Sequence, residues 1–371
     1  MMTMRQCRLL LIITVTIVFA IGLIMVFNTS SAEILDDFAA GEDTYKSVMR
    51  QAIYAALGIA FAIALWHIGY ENILKLSLPL LIIFTILLAL TFVPGIGQMR
   101  NGAYRWIGLG GYTIQPSEFV KFLVPMYYIY AMKSVSPETI SLKGFVKIMA
   151  ILAAPVMLIM LEPDNGTTGI IGLTMMMLFF ATKMKARYWA IPALAAIALS
   201  ITAFYTMPYV SGRIKVYLNP ELDILGRGHQ PYQARIATGS GRLFGVGPGN
   251  SLQKLNYLPE AQNDYIAAIY AEEFGFVGIV AIITLYTIMA YLGIHIAANA
   301  KDKEAALLAL TITFLIAFQA FLNLGVVSGL LPSTGLNLPF FSQGGTSLMT
   351  NIAVIGILLN IGYKSSLIID H

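Results

Sequence analysis

Residues 76–93 read LSLPLLIIFTILLALTFV, a run without a single charged side chain. An α-helix needs about 20 predominantly apolar residues to cross the hydrocarbon core of a bilayer, and this run has that length once its flanks are included. Nine other runs of similar character lie along the chain, bounded by charged residues or by clusters of Gly, Pro and Asn. The sequence therefore predicts an all-α polytopic membrane protein with ten transmembrane helices, forming one integral membrane domain over 1–371.

The predicted helices leave one long polar segment, 211–273, between the seventh and eighth spans. The first run is long for a signal peptide and lacks a small-residue cleavage site, so we expect it to be retained. The ten spans lie at approximately 8–27, 49–69, 73–94, 116–133, 145–161, 167–183, 187–210, 274–297, 305–330 and 344–363.

The composition supports a membrane protein and excludes several other classes. The 371 residues are 58% hydrophobic and 11% charged, and the mean hydropathy is +0.76. Soluble domains carry about a quarter charged residues. Cys7 is the single cysteine, which excludes an internal disulfide or a cysteine-ligated metal centre, and the four histidines are scattered. The net charge of +4 is too small to indicate nucleic acid as a partner.

The distribution of Lys and Arg predicts the orientation. The loops on one side hold twelve of these residues, whereas the short loops on the other side hold Lys46, Arg50, Arg100 and Arg105. The side richer in Lys and Arg is usually cytoplasmic. We therefore expect both termini in the cytoplasm and the polar segments 95–115, 211–273 and 331–343 outside. Because these outer segments are rich in Gly, Pro, Asn and charge, we also expect function on the outer face.

No P-loop or dinucleotide fingerprint occurs in the chain. Any reaction must then draw on an activated substrate or on a gradient.

Asp264 is the first candidate for chemistry, because it directly precedes a predicted helix at the headgroup boundary. Partial desolvation there tends to raise the pKa of a carboxylate and suits it to accept a proton from a hydroxyl. The alternative is that Asp264, or Asn263 beside it, only caps the helix. For the nearby Glu272 and Glu273, solvation or packing is the simpler interpretation.

The fourth span carries an ionisable pair, Glu118 and Lys121, at i,i+3 spacing. Charged groups inside a membrane are costly and indicate function, or they form an internal strut. In either case we expect the pair to face the protein interior. Glu162 and Asp164, between the fifth and sixth spans, hold a cation or cap the sixth helix.

Basic residues on the outer side form a candidate phosphate site. Arginine binds phosphate in bidentate fashion, and Gly-rich backbone nearby adds N–H donors. The alternative is a solvated loop in contact with lipid headgroups. The candidates used below are Arg105, Arg213 and Lys215.

The segment 329–347, GLLPSTGLNLPFFSQGGTS, is too polar and too rich in Gly and Pro to span as a helix. It forms an ordinary outer turn or folds back into the bundle, where protein or water must satisfy its backbone.

Several motifs resemble the SEDS family, which comprises shape, elongation, division and sporulation proteins. They occur in the order typical of that family and span most of the chain. Their sequences are more similar to those of its division members than to those of its elongation members. The motifs are NGAYRWIGLGG at 101–111, QPSEFVK at 115–121, GSGRLFGVG at 239–247, AEEFG at 271–275 and the segment 329–347.

The resemblance implies a ten-helix SEDS fold and a glycosyltransferase that polymerises lipid II at the outer face of the cytoplasmic membrane, at the division septum. It implies partners, namely lipid II, the nascent glycan strand, a class B penicillin-binding protein and other division proteins. It places the catalytic carboxylate at Asp264, and further family positions match Arg105, Glu118, Lys121, Ser342, Gly344 and Gly345. We take these six residues, together with the outer basic residues Arg213 and Lys215, as the candidates for substrate binding.

The sequence departs from the family pattern at Gln262 and Asn263, at Gln343 and at Asn165. Their effect on pH dependence, metal preference and substrate fit is left open.

The mechanism that joins these inferences uses Asp264 as a general base on an acceptor hydroxyl. A loosely bound divalent cation, Mg²⁺ or Mn²⁺, and outer basic groups would stabilise the pyrophosphate leaving group. Two further functions are considered, a lipid II flippase with Glu118 and Lys121 along a polar path, and a scaffold that activates its partner transpeptidase. Clustering of the polar features on one face, without an inverted repeat, favours the enzyme over the flippase.

Overall fold

The computed structural model describes residues 2–36, 45–100, 102–109, 112–133, 135, 139–206, 215–224, 226, 228–255, 258 and 261–369. The chain is mainly helical, as predicted. Its helices are α1 (Met4–Asp36), α2 (Tyr45–Ile68), α3 (Tyr70–Leu90), α4 (Ser117–Lys133), α5 (Leu142–Leu161), α6 (Asn165–Ala181), α7 (Ala186–Thr206), α8 (His229–Ser240), α9 (Ile266–Ala298), α10 (Lys303–Val327) and α11 (Gly345–Ile369).

Within the described residues, seven helices are long and apolar enough to cross a membrane, namely α1, α2, α3, α5, α9, α10 and α11. The shorter α6 is also apolar. Each of the ten predicted runs overlaps a helix, and the count of ten membrane crossings stays a prediction. The helices pack side by side, with the most extensive contacts between α2 and α11, between α9 and α10, and between α3 and α4.

A small antiparallel sheet fills the connection between α3 and α4, where the sequence predicted an outer loop. It consists of β1 (Gly97–Arg100), β2 (Ala103–Leu109) and β3 (Tyr112–Ile114), in that order. The register pairs Gly97 with Ile107 and Ile107 with Ile114. Strand β2 carries Arg105, so the sheet fixes the direction in which this arginine leaves the backbone.

Helix α9 includes the eighth predicted span, 274–297, and extends two helical turns further toward the N-terminus. Helix α9 begins at Ile266 and is broken at Gly275, whose φ of 65° and ψ of −163° are not helical. The stretch 266–273 is buried throughout, although Glu272 and Glu273 give it the polarity of an outer loop. The predicted loop 211–273 therefore contains α8 and the first part of α9.

The break in α9 is closed by the preceding segment of the chain. Val246 and Gly247 donate their backbone N–H groups to the carbonyls of Glu272 and Glu273, at 2.9 and 3.1 Å. In return, the carbonyls of Arg242 and Leu243 accept from Phe276 and Val277, at 2.9 and 3.1 Å. Backbone groups that an interrupted helix leaves unpaired are thus satisfied by protein, as a membrane environment requires.

The segment 331–344 is non-helical and folds back into the bundle. Leu336 and the stretch 338–342 are buried, whereas Pro332, Ser333 and Gly335 are exposed. Gln51 of α2 donates to the carbonyl of Ser342 at 2.9 Å. This segment is called the return loop below.

Candidate active site

Asp264 lies just before α9 and is partly exposed. The N-cap position of α9 is occupied by Tyr265. The return loop passes beside the Asp264 carboxylate, since a Cβ atom built on Gly335 would stand 3.6 Å from Oδ2. The carboxylate therefore faces the non-helical backbone of the return loop.

Two amide side chains of α10 hold this backbone in place. Asn323 donates from Nδ2 to the carbonyl of Asp264 and to that of Leu336, both at 2.8 Å. One turn earlier, Gln319 donates from Nε2 to the carbonyl of Asn337 at 2.8 Å. Both side chains are 1% exposed, so these hydrogen bonds are shielded from water and costly to lose. Neither residue is among the sites predicted from the sequence.

The predicted pair of the fourth span is buried and joined to the same network. Lys121 lies 2.6 Å from a carboxylate oxygen of Glu118 and donates to Oε1 of Gln319 at 3.0 Å. The exposed fractions are 1% for Lys121 and 6% for Glu118. The prediction that the pair faces the protein interior is therefore confirmed. Gln319 connects the pair to the return loop, and through it to the surroundings of Asp264.

Two carboxylates, Glu162 and Asp164, lie at the turn between α5 and α6. Asp164 caps α6 by accepting from the backbone N–H of Thr167 at 3.1 Å, and it also accepts from Gln115 at 3.3 Å. Arg105 donates to the carbonyls of Glu162 and Pro163, at 3.0 and 2.8 Å. Arg105 thus supports this turn, and its predicted role in substrate binding stays a prediction.

The turn also borders the return loop. A Cβ atom on Gly166, at the start of α6, would stand 2.2 Å from the carbonyl oxygen of Thr334. Thr334 precedes Gly335, which lies beside Asp264. The return loop therefore lies between the N-terminus of α6 and Asp264.

The environment of Glu162 favours its neutral form. Burial raises its pKa from 4.5 to about 7, against opposing effects of Thr91 and Arg105. The Thr91 hydroxyl lies 2.7 Å from both the Leu88 carbonyl and Oε1 of Glu162. A hydroxyl has one hydrogen, so when Thr91 donates to Leu88, a protonated Glu162 completes the second hydrogen bond. Burial likewise raises the pKa of Asp164, and Arg105 opposes that rise.

Several buried oxygen atoms around this site have no hydrogen-bond partner within the described part of the chain. They are Oε2 of Glu162, Oγ of Ser117, Oδ1 of Asn323 and Oε1 of Gln343. Buried polar atoms are nearly always satisfied by protein, water or ligand. These oxygens are therefore candidates for hydrogen bonds to water or to a ligand.

The remaining predicted site residues are placed as follows. Ser342 uses its hydroxyl to accept from the backbone of Leu338 at 2.9 Å. Gly344 and Gly345 pack closely, because a Cβ atom would stand 1.9 Å from the Asn337 side chain in the first case and 2.3 Å from the Tyr54 ring in the second. Lys215 is exposed. Arg213 lies outside the described residues.

Glu272 and Glu273 form a separate buried cluster at the break in α9. Glu273 lies 3.0 Å from Nζ of Lys254 and accepts from Asn28 of α1 at 2.6 Å. Glu272 accepts from the Ser251 hydroxyl at 2.5 Å. The cluster fastens the chain before Asp264 to the helix after it, in agreement with a packing role.

The residues present fit a divalent cation that arrives with its substrate. No three His, Cys, Asp or Glu side chains of the described ranges converge on one point. Mg²⁺ is commonly held by one or two carboxylates together with substrate phosphates. Asp264, which is partly exposed, offers one carboxylate ligand of that kind.

Gln319 and Asn323 had a signal in the sequence. They are two amides four residues apart in an otherwise apolar span, AFQAFLNLGVV at 317–327. That spacing places them on one helix face, and polar residues at membrane depth usually bind other helices or line a cavity. Thr91 carries no comparable signal, because many threonines in these helices bond only to their own backbone.

Comparison with known proteins shows a consistent relationship. A family model described as a cell cycle protein, comprising FtsW, RodA and SpoVE, matches residues 8–367. The chain is 36% identical to the stage V sporulation protein E of Bacillus subtilis, over 96% of this chain and 97% of that protein. It is 37% identical to a probable peptidoglycan glycosyltransferase FtsW of Legionella pneumophila, over 93% of this chain and 88% of that protein.

Solved structures share the fold. A chain from a study of polymerization and crosslinking by a peptidoglycan synthase complex superimposes with a TM-score of 0.77, at 24% identity, covering 96% of this chain and 97% of that one. The rod shape determining protein RodA of Thermus thermophilus gives a TM-score of 0.68 at 23% identity, covering 95% and 96%. The predicted SEDS-type helical fold is confirmed.

Proposed function

This chain belongs to the family of cell cycle proteins that comprises FtsW, RodA and SpoVE, and from that membership we propose that it is a peptidoglycan glycosyltransferase. Its substrate is lipid II, which it polymerises into β-1,4-linked glycan strands at the outer face of the bacterial cytoplasmic membrane during cell division. Relatives named FtsW at 36 to 37% identity support this activity. The similar identity to the sporulation protein makes wall synthesis during sporulation a second possible setting.

The observation that carries the proposal is the position of Asp264. Its main chain is fixed by Asn323, and its partly exposed carboxylate faces the return loop at the outer end of the bundle. As general base, Asp264 takes the proton from the C4 hydroxyl of the acceptor sugar. The hydroxyl oxygen bonds to the anomeric carbon of the lipid-linked donor as the bond to the pyrophosphate oxygen breaks. The polyprenyl pyrophosphate leaves with the bonding electron pair, and the configuration inverts.

The leaving pyrophosphate requires positive charge. A bound Mg²⁺ or Mn²⁺ would supply electrostatic stabilisation of that group. Asp264, through the carboxylate oxygen that does not take the proton, is the residue that would hold it, while Arg105, Lys215 and Arg213 are the basic groups proposed to bind the phosphates. Glu118 and Lys121, whose charges compensate each other, support the return loop through Gln319.

The proposed setting follows from the same family. A class B penicillin-binding protein and other division proteins are the proposed partners, and the division septum is the proposed location, with both termini in the cytoplasm. The fold shared with a chain of a peptidoglycan synthase complex is compatible with such an assembly. Elongation rather than division is the alternative within the enzyme class.

Lipid II flipping is the alternative from another class. Lys121 is fully engaged by Glu118 and Gln319, which favours an internal strut over the polar path that a flippase needs.

The test uses purified full-length protein, labelled lipid II in detergent and Mg²⁺ or Mn²⁺, with and without the partner transpeptidase, and follows glycan strands on a gel. We expect strands from the wild type and none from Asp264→Asn, which keeps the size of the side chain and removes the base. Asp223→Asn, on the same outer segment, is the matched control and should polymerise normally. If the wild type made no strands under any condition, the proposed glycosyltransferase activity would be overturned. Undiminished synthesis by Asp264→Asn would overturn its role as base.

A further inference from the structure

An apolar groove of about 600 Å³ opens between α1, α2 and α11. Its walls are almost entirely aliphatic or aromatic, and Thr16, Trp66 and His67 are the residues with polar side-chain atoms. The apolar walls include Ile12 and Val15 of α1, Ile59 and Ile63 of α2, and Ile355 and Leu359 of α11. All three helices are candidate membrane spans, so the groove lies where lipid chains are the solvent.

A cationic side chain, that of Arg8, lies close to one end of the groove. Arg8 precedes Ile12 by four residues and therefore shares its helix face. The Arg8 guanidinium lies 5.2 Å from the centre of the Tyr363 ring, and the Trp66 ring lies 5.7 Å from the same ring. His67, which lines the groove, stacks edge-on against Trp66 at 4.8 Å. The chain thus brings an arginine, a histidine and two aromatic rings together where the groove ends.

Arg8 has unused hydrogen-bonding capacity at this end. Its Nε atom is buried and makes no hydrogen bond to the part of the chain that the structure describes. Two acidic residues on this side of the bundle already have partners, since Glu71 is paired with Lys364 and Asp302 accepts from the Tyr70 hydroxyl. The Arg8 guanidinium is held by the Tyr363 ring and has no carboxylate partner among the described residues, so its other N–H groups can pair with a phosphate group.

We propose that this groove binds an anionic phospholipid, with its phosphate at Arg8 and one acyl chain along the apolar walls between α1, α2 and α11. Charge complementarity selects the headgroup, since basic pockets between transmembrane helices bind anionic lipid headgroups. The helix ends at Arg8, His67 and Tyr363 lie on the side of both chain termini. The lipid therefore comes from the leaflet on that side. This site is distinct from the Asp264 site and does not depend on the proposed polymerase activity.

The experiment is native mass spectrometry of the full-length protein from detergent micelles doped with equal amounts of phosphatidylglycerol and phosphatidylcholine that carry identical acyl chains. We expect one phosphatidylglycerol to be retained in preference to phosphatidylcholine. Arg8→Gln should lower that retention about tenfold, as expected for the loss of a charge-assisted hydrogen bond. Arg5→Gln is the matched control, because Arg5 is exposed one turn earlier on α1, and it should behave as the wild type.

A second variant tests the groove without changing its charge. Thr16→Phe adds a ring inside the groove at an exposed position, where it does not disturb the core, and should reduce retention of phosphatidylglycerol by a similar factor. Equal retention of the two lipids by the wild type, or equal retention by the Arg8 and Arg5 variants, overturns the headgroup site. Undiminished retention by Thr16→Phe overturns the acyl-chain path. Thermal unfolding of each variant verifies that it is folded.

Discussion

The side-chain nitrogen of Asn323 lies 2.8 Å from the main-chain oxygen of Asp264. The same nitrogen reaches the main chain of the return loop at Leu336, so one side chain of α10 fixes the proposed catalytic residue relative to the surface it faces. Asn323 itself does not touch the reacting atoms in this arrangement. It is a positioning residue, and its effect on the reaction must act through Asp264.

Replacing Asn323 with leucine should lower the rate of lipid II polymerisation by about 10- to 100-fold, because each lost buried hydrogen bond costs about 1–3 kcal/mol. Strand synthesis on a gel measures the rate, and the affinity for lipid II should change less than the rate constant. Asn72→Leu, at an exposed position of α3, is the control. Wild-type synthesis by Asn323→Leu would show that the contact does not position Asp264.

Removing one partner of the Glu118–Lys121 pair should destabilise the protein more than removing both. A single change leaves an unpaired buried charge, at a cost of about 3–5 kcal/mol, whereas the double change leaves none. Thermal unfolding of Glu118→Gln, Lys121→Met and the double variant gives the comparison. The Glu71–Lys364 pair, about one-third exposed, is the control and should contribute at most about 1 kcal/mol. Additive losses at Glu118 and Lys121 would contradict the buried ion pair.

Stability should fall as the pH rises from about 4.5 toward 7. The pKa of Glu162 is raised by burial from 4.5 to about 7, so the folded protein binds a proton that the unfolded chain has already released. That stabilisation is fully present below pH 4.5 and is lost above pH 7. The pKa of Asp164, raised in the same direction, adds to the slope.

Thermal unfolding in detergent between pH 4.5 and 8 measures this dependence. Glu162→Gln keeps the hydrogen bond to Thr91 without a titrating group and should flatten the profile. Glu221→Gln, exposed on the outer segment, should leave it unchanged. A slope in Glu162→Gln as steep as that of the wild type would assign the dependence to another group.

Gly245→Ala should prevent segment 242–247 from packing against α9, whereas Gly249→Ala should lower the free energy of unfolding by only about 1 kcal/mol. Both glycines have a positive φ, 82° and 80°, so the backbone penalty is alike. They differ in space, because a Cβ atom on Gly245 would stand 2.0 Å from the Glu273 carbonyl while nothing lies within 4 Å at Gly249. Yield and thermal unfolding compare the two variants. Equal stability would contradict the close approach.

The sequence could predict what depends on composition and local period. Long apolar runs indicate where helices lie, and Glu118 and Lys121 stand out because charges are rare in such runs. Their inward orientation follows from the cost of exposing charge to lipid. The motifs around 101–121 and 329–347 carried the family assignment, which the comparisons confirm.

The sequence could not predict features that depend on contacts between distant segments. The burial of Glu272 and Glu273 in α9 depends on partners far away in the sequence, at Ser251 and at Asn28 of α1. The sheet around Arg105 has no strong alternation, and its strands are short. The spacing of the α10 amides indicates that they share a helix face, but the sequence does not show that their partners lie on the return loop.

The break at Gly275 has a consequence for how the chain enters the bilayer. The carbonyls of Glu272 and Glu273 have their hydrogen-bond donors on Val246 and Gly247, a stretch that is made earlier on the ribosome. The first part of α9 therefore completes its backbone hydrogen bonds only when Val246 and Gly247 lie beside it. We therefore expect segment 242–247 and α9 to insert into the bilayer together. A truncation or a tag placed between them should cause degradation during biogenesis.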